Sequence, residues 1–145
     1  MASQYQVISF FEFKNMNALG ELPEIRERVL TAFREHEFFG TMIIAEEGFN
    51  STVCGAPMKM AAFTADLEQV LETKLVYKSS FSENKILRKQ EVKIKPEIVT
   101  LRQKVDIEKG RGTLVKPQDW NAVISRPDVF VLDARNHYEY KSGPF

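Results

Sequence analysis

Residues 41–55, T-M-I-I-A-E-E-G-F-N-S-T-V-C-G, hold a nearly unbroken apolar run, a polar turn and a second β-prone run. Met42, Ile43, Ile44 and Ala45 predict a strand buried on both faces, Glu46, Glu47 and Gly48 a turn, and residues 50–54 the returning strand. Gly48 is the residue able to take positive φ at a tight turn, and Gly55 lets the chain leave the second strand for a helix. A helical pattern flanks this central hairpin on each side, which is the middle of a β-α-β-β-α-β order.

The first strand of that order is predicted over Tyr5–Phe13, where apolar residues occupy both alternation phases, so it belongs at the centre of a sheet. After a polar loop at 14–20, Pro23 suits the first turn of a helix and Glu24 and Glu27 its positive end. Leu22, Ile25, Val29, Phe33 and His36 recur at helical spacing, and the helix is expected to run to about His36. A second helix opens at Pro57 with a stripe of Met60, Phe63, Leu67, Val70 and Leu71. Residues 75–81 and 87–95 predict two more strands, joined through turn-type residues 82–85. In the last of these Val92 and Ile94 point one way and Lys89, Glu91, Lys93 and Lys95 the other. The expected fold is α+β, a ferredoxin-like sandwich over residues 1–103 with an extra C-terminal strand. Its helices cover one face and leave the other open.

Residues 104–116 lack periodicity, with Gly110 and Gly112 around Arg111, and predict a linker. A new unit is expected over 117–145, with a helix opening at Pro117, a short strand at 128–133 and the start of another helix. One helix and one strand do not make a stable α/β domain, so this reads as the front edge of a second domain.

With 145 residues and 43% hydrophobic content the chain is long enough for a real core. No apolar run approaches the ~20 residues of a membrane span, and no signal peptide is recognisable, so a cytoplasmic protein without a membrane partner is expected. The single cysteine, Cys54, excludes an internal disulfide framework and a cysteine-rich zinc site. The formal net charge of zero conceals an asymmetry: residues 1–77 carry 6 basic and 11 acidic side chains, 78–104 carry 8 and 3, and 105–145 carry 6 and 6. A window at +5 is a candidate phosphate footprint, with RNA or DNA the natural polyanion, and equally a lysine-rich strand protecting a sheet edge.

Taken alone, the residues form no complete catalytic constellation, no identifiable cofactor site and no metal motif. His36 and His137 are far apart in sequence, and His36 suits the negative end of a helix better than catalysis. Cys54 lies at a strand end without a positive cluster to activate it, which favours a buried structural role. Glu46 and Glu47 read as solvated turn carboxylates rather than an acid/base pair. Acylphosphatases share the β-α-β-β-α-β order, but their glycine-rich, arginine-bearing phosphate loop is replaced here by F-K-N-M-N-A-L-G, so that activity is not expected.

Four blocks carry a family resemblance: A-E-E-G-F-N-S-T-V-C-G from Ala45, V-K-I-K-P-E-I-V-T from Val92, G-T-L-V-K-P-Q-D-W-N-A-V-I from Gly112 and L-D-A-R-N-H-Y-E from Leu132. Together they resemble the bacterial rhodanese-domain tRNA uridine hydroxylases. The resemblance implies an acylphosphatase-like N-terminal domain followed by a rhodanese domain, with tRNA as partner. It also implies formation of 5-hydroxyuridine at wobble position 34, with molecular oxygen as co-substrate. Members of that family carry a reactive cysteine in a Cys-x-Gly-Gly-x-Arg loop well beyond the last block, past Phe145. The catalytic role therefore does not transfer to Cys54, no residue of this chain is assigned as catalytic, and the chain by itself is expected to be inactive.

The reading is the N-terminal part of a tRNA-modifying enzyme, partnered by the rhodanese and C-terminal regions of the same protein. Asp133 and Arg135 are expected to brace the domain that follows. Lys78, Arg88, Lys89, Lys93 and Lys95 are the expected RNA-binding residues, acting on backbone phosphate, since no stacking aromatic stands out at matching spacing. Two alternatives stay open, an accessory domain of a sulfurtransferase-type rhodanese and a non-enzymatic RNA-binding module.

Overall fold

The computed structural model describes residues 4–110 and 112–143. Arg111 in the expected linker and Phe145 at the chain end lie outside the described residues. The chain divides into two compact units, Met1–Val105 and Asp106–Phe145.

The first unit runs β1 (Tyr5–Phe13), α1 (Leu22–Glu35), β2 (Phe39–Ala45), β3 (Gly48–Gly55), α2 (Met60–Leu71), β4 (Tyr77–Ser82) and β5 (Gln90–Ile94). The strands form one sheet in the order β4-β1-β3-β2-β5. The first four are antiparallel to their neighbours, while β5 joins β2 in parallel. This is the expected ferredoxin-like order with its extra strand. β1 is central as expected, paired on both sides by β3 and β4, but only the phase of Ile8 and Phe10 faces the helices.

Both helices pack on the face formed by Ile8, Phe10, Met42, Ile44, Phe49, Val53 and Val92. Their apolar stripes, Ile25, Val29 and Phe33 from α1 and Phe63, Leu67 and Leu71 from α2, complete one core. The ring of Phe63 lies flat on Phe38, centroids 3.9 Å apart, and also meets Phe33 at 5.6 Å. Helix α1 closes with Glu37 at φ 55°, so that Glu37 N–H and Phe38 N–H reach back to the carbonyls of Arg34 and Phe33. Lys59 pairs with the Glu37 side chain and holds its carboxyl below the ordinary range. The second helix does not open directly at Pro57: a 3-10 turn, Pro57–Lys59, precedes it.

The turn at Glu46 and Glu47 places Gly48 at φ 149°, as its sequence context predicts. A Cβ there would lie 2.0 Å from the carbonyl oxygen of Glu12 on β1, so glycine is required by close approach as well as by φ.

Strands β4 and β5 are shorter than expected and are not a hairpin, because they occupy opposite edges of the sheet. Residues 83–89 must therefore cross four strand spacings, roughly 19 Å, which seven extended residues reaching about 23 Å can span. With the helices on one face, the crossing uses the other. Cys54 Sγ lies 3.8 Å from the Leu87 carbonyl, and Lys85 Nζ sits 3.2 Å from the centre of the Phe39 ring. Val7, Cys54 and Phe39 share one cross-strand row, and this strap buries the first two outside the main core.

Among its described residues the second unit has two short α-helices, α3 (Trp120–Ile124), preceded by a 3-10 turn at Pro117–Asp119, and α4 (His137–Lys141). Asn136 and Glu139 form a capping box that starts α4. The strand expected at 128–133 does not form: those residues are irregular, with Phe130 86% and Leu132 79% exposed. A strand requires a hydrogen-bonding neighbour, and among the described residues no strand pairs with that run.

Candidate nucleic-acid interface

Alternation along the sheet sends Ser9, Phe11 and Phe13 of β1 away from the helices, together with their cross-strand partners. One row reads Lys78, Ser9, Thr52, Thr41 and Glu91 from β4 to β5, and the next reads Phe11, Asn50, Ile43 and Lys93. Ser9 and Thr52 hydroxyls are 2.9 Å apart. The strap of residues 83–89 borders these rows at one end. At the other, Ile98 is buried and its N–H donates to the Glu47 carboxylate at 2.8 Å. Between the two lies a partly exposed surface of hydroxyls, an amide, lysines, the Glu91 carboxylate, Ile43 and two aromatic rings. Phe11 is 64% and Phe13 44% exposed, and their rings meet edge to face with centroids 6.4 Å apart.

The five basic residues singled out from sequence do not form one cluster. Lys78 is exposed on β4 at one edge, whereas Lys93 lies on β5 at the opposite edge, about 19 Å away by strand spacing. Arg88 and Lys89 end the strap, and Lys95 follows β5, with its N–H donating to the Ile44 carbonyl at 2.9 Å. Glu91 lies between two of the lysines, 4.0 Å from Lys89 and 3.6 Å from Lys93, and offsets part of their charge. Ile94, expected to share the buried side with Val92, is 43% exposed at the sheet edge.

The two exposed phenylalanines are what sequence reasoning missed. The signal was present in β1 itself: if one apolar phase faces the helices of a two-layer sandwich, the other has nothing to cover it.

Other candidate groups are engaged structurally. The loop after β1 spends its backbone donors on the central turn, with Lys14 N–H bonding Glu47 O at 2.9 Å and Met16 N–H bonding Glu46 O at 3.0 Å. Lys14 Nζ donates to the carbonyls of Leu71 and Glu72 at the end of α2. Glu47 is not simply solvated, since it fastens the segment after β5.

His36 does cap α1, and its Nε2 also meets Asp66 of α2 at 2.5 Å while its ring edge packs on Phe63. Glu35 lies close enough to these two to complete a possible metal-ligand trio. His36 and Asp66 already satisfy each other, however, and the arrangement joins two helices. Cys54 is fully buried, as expected for a structural thiol. In the second unit Arg135 grips Asp133 through two nitrogens, at 2.9 and 2.7 Å, and holds its carboxyl below the ordinary range.

A one-sided βαββαβ sandwich with an added parallel edge strand defines an acylphosphatase-like α+β domain. The profile of the UPF0176 acylphosphatase like domain matches residues 5–98, and the chain belongs to that family. It is 36% identical over 141 residues to a tRNA uridine(34) hydroxylase of Deinococcus radiodurans, covering 97% of this chain and 46% of that protein. It is 34% identical over 143 residues to a tRNA uridine(34) hydroxylase of Acinetobacter baylyi, covering 99% of this chain and 45% of that one. The chain thus spans about half the length of the curated relatives it matches. Among solved structures, the acylphosphatase of Bacillus subtilis aligns at 12% identity with a TM-score of 0.41, over 63% of this chain and 98% of its own. No helix among the described residues is long and apolar enough to cross a membrane.

Proposed function

We propose that this chain is the N-terminal, substrate-positioning half of an oxygen-dependent enzyme that forms 5-hydroxyuridine at position 34 of tRNA. The observation carrying this reading is the similarity to two proteins named tRNA uridine(34) hydroxylase along nearly all of this chain. The +5 window supplies the electrostatic part: Arg88, Lys89, Lys93 and Lys95 lie along the end of the strap and the β5 edge, with Lys78 at the opposite edge, and such charge attracts a polyanion without reading its sequence.

Residues 117–145 are the start of a rhodanese domain in this reading, reached through the linker at 104–116. The apolar run at 128–133 has strand-type composition and large exposure, which strand neighbours from the remainder of a longer protein would remove. Chemistry is assigned to that remainder, because the only thiol here is sealed beneath the strap.

Nucleoside mass spectrometry of tRNA from cells with and without the gene tests the assignment. Loss of 5-hydroxyuridine at position 34, restored by the full-length gene, is expected; an unchanged level of that nucleoside would refute it.

A further inference from the structure

We infer that Phe11 and Phe13 form a stacking platform for the bases of a single-stranded RNA segment on the open face of the sheet. The inference rests on the RNA reading above and adds to it a contact with bases, which clustered lysines alone do not make. Large aromatic side chains are normally buried, yet these two stand exposed side by side on a strand that is paired on both edges. Their rings are 78° from parallel, so a base stacked on one ring meets the edge of the other.

The surroundings favour a nucleotide over a protein partner. A protein docking on a sheet face requires a continuous apolar patch. Here Phe11 is separated from the next apolar residue of its row, Ile43, by Asn50, whose amide both donates and accepts, and the row ends at Lys93. The adjacent row is Lys78, Ser9, Thr52, Thr41 and Glu91, which is polar throughout. Aromatic faces separated by hydrogen-bonding groups, with cations at both edges of the sheet, match a base, a ribose and a phosphate in turn. Four-stranded sheets of this βαββαβ type elsewhere stack unpaired bases on aromatics of their open face.

The test titrates the chain with a labelled six-nucleotide oligouridylate and with a ribose-phosphate oligomer of the same length lacking bases. Wild-type protein is expected to prefer the base-bearing oligomer by about tenfold or more. Replacing both phenylalanines by alanine, or by leucine to keep apolar bulk, should remove that preference and leave the salt dependence unchanged, since no cation is lost. Replacing both by tyrosine should retain it, and this variant guards against misfolding of the other two. Equal wild-type affinity for the two oligomers, or a leucine pair that binds like wild type, would overturn the platform while leaving charge-driven RNA binding in place. Failure of the wild-type chain to bind either oligomer at low salt would overturn both the platform and the RNA-positioning role.

Discussion

Lys14 Nζ lies 2.6 Å from the carbonyl oxygen of Leu71 and 3.1 Å from that of Glu72, tying the end of β1 to the last turn of α2. Helix ends leave carbonyls without intrahelical partners, and a cation is the strongest available donor for them. Replacing Lys14 by methionine keeps the stem and removes the donor, so stability to urea should fall by about 1–3 kcal/mol. An unchanged midpoint would mean that water serves these carbonyls equally well.

Gly48 meets two constraints at once, a φ of 149° and a separation of 2.0 Å between its would-be Cβ and the Glu12 oxygen. A side chain there must separate β1 from β3 at the end of their ladder, where Phe13 pairs with Gly48. Gly48→Val should therefore cost well above the ~1 kcal/mol of an average substitution. Thermal unfolding checks this, and a loss no larger than that average would show that the strands yield easily.

Asp133 titrates below the ordinary aspartate range chiefly because Arg135 hydrogen-bonds its carboxylate. A depressed folded-state pKa contributes stability that is complete above the unfolded value and disappears as pH falls through the folded one. The turn joining residues 133 and 135 is accordingly expected to loosen only in acid. Carbon-detected titration of the Asp133 carboxyl should give a low midpoint in wild type, returning toward the ordinary value in Arg135→Ala. A midpoint that ignores the substitution would contradict the pairing.

Much of the fold was legible because local signals agreed with one another. Tyr5–Phe13 carries its strand in both apolar phases, Pro23 starts α1 within its first turn, and Gly48 marks the hairpin. The turn composition of residues 82–85 marked where β4 ends but not that β4 and β5 take opposite edges of the sheet. Turn composition identifies where a strand ends, but strand partners are set by which sheet edges remain free. The strand expected at 128–133 failed for a related reason, since apolar sequence creates demand for a partner without supplying one. Charge was legible as a +5 window but not as a site, because β4 and β5 carry its lysines to opposite edges. Phe11 and Phe13 were hidden by the ordinary expectation that strand aromatics are core.

The most direct test of the RNA-positioning role is the salt dependence of undermodified tRNA binding to this chain, compared between wild type and a Lys89→Glu, Lys93→Glu, Lys95→Glu variant. These side chains are exposed at the β5 edge, so unfolding stability should change little. If they neutralise phosphates, affinity falls, and the slope of log affinity against log salt flattens by roughly two to three, at about 0.9 per lost contact. Affinity and slope both held at wild-type values in the folded variant would contradict the role and leave this edge as no more than a solvated border of the sheet.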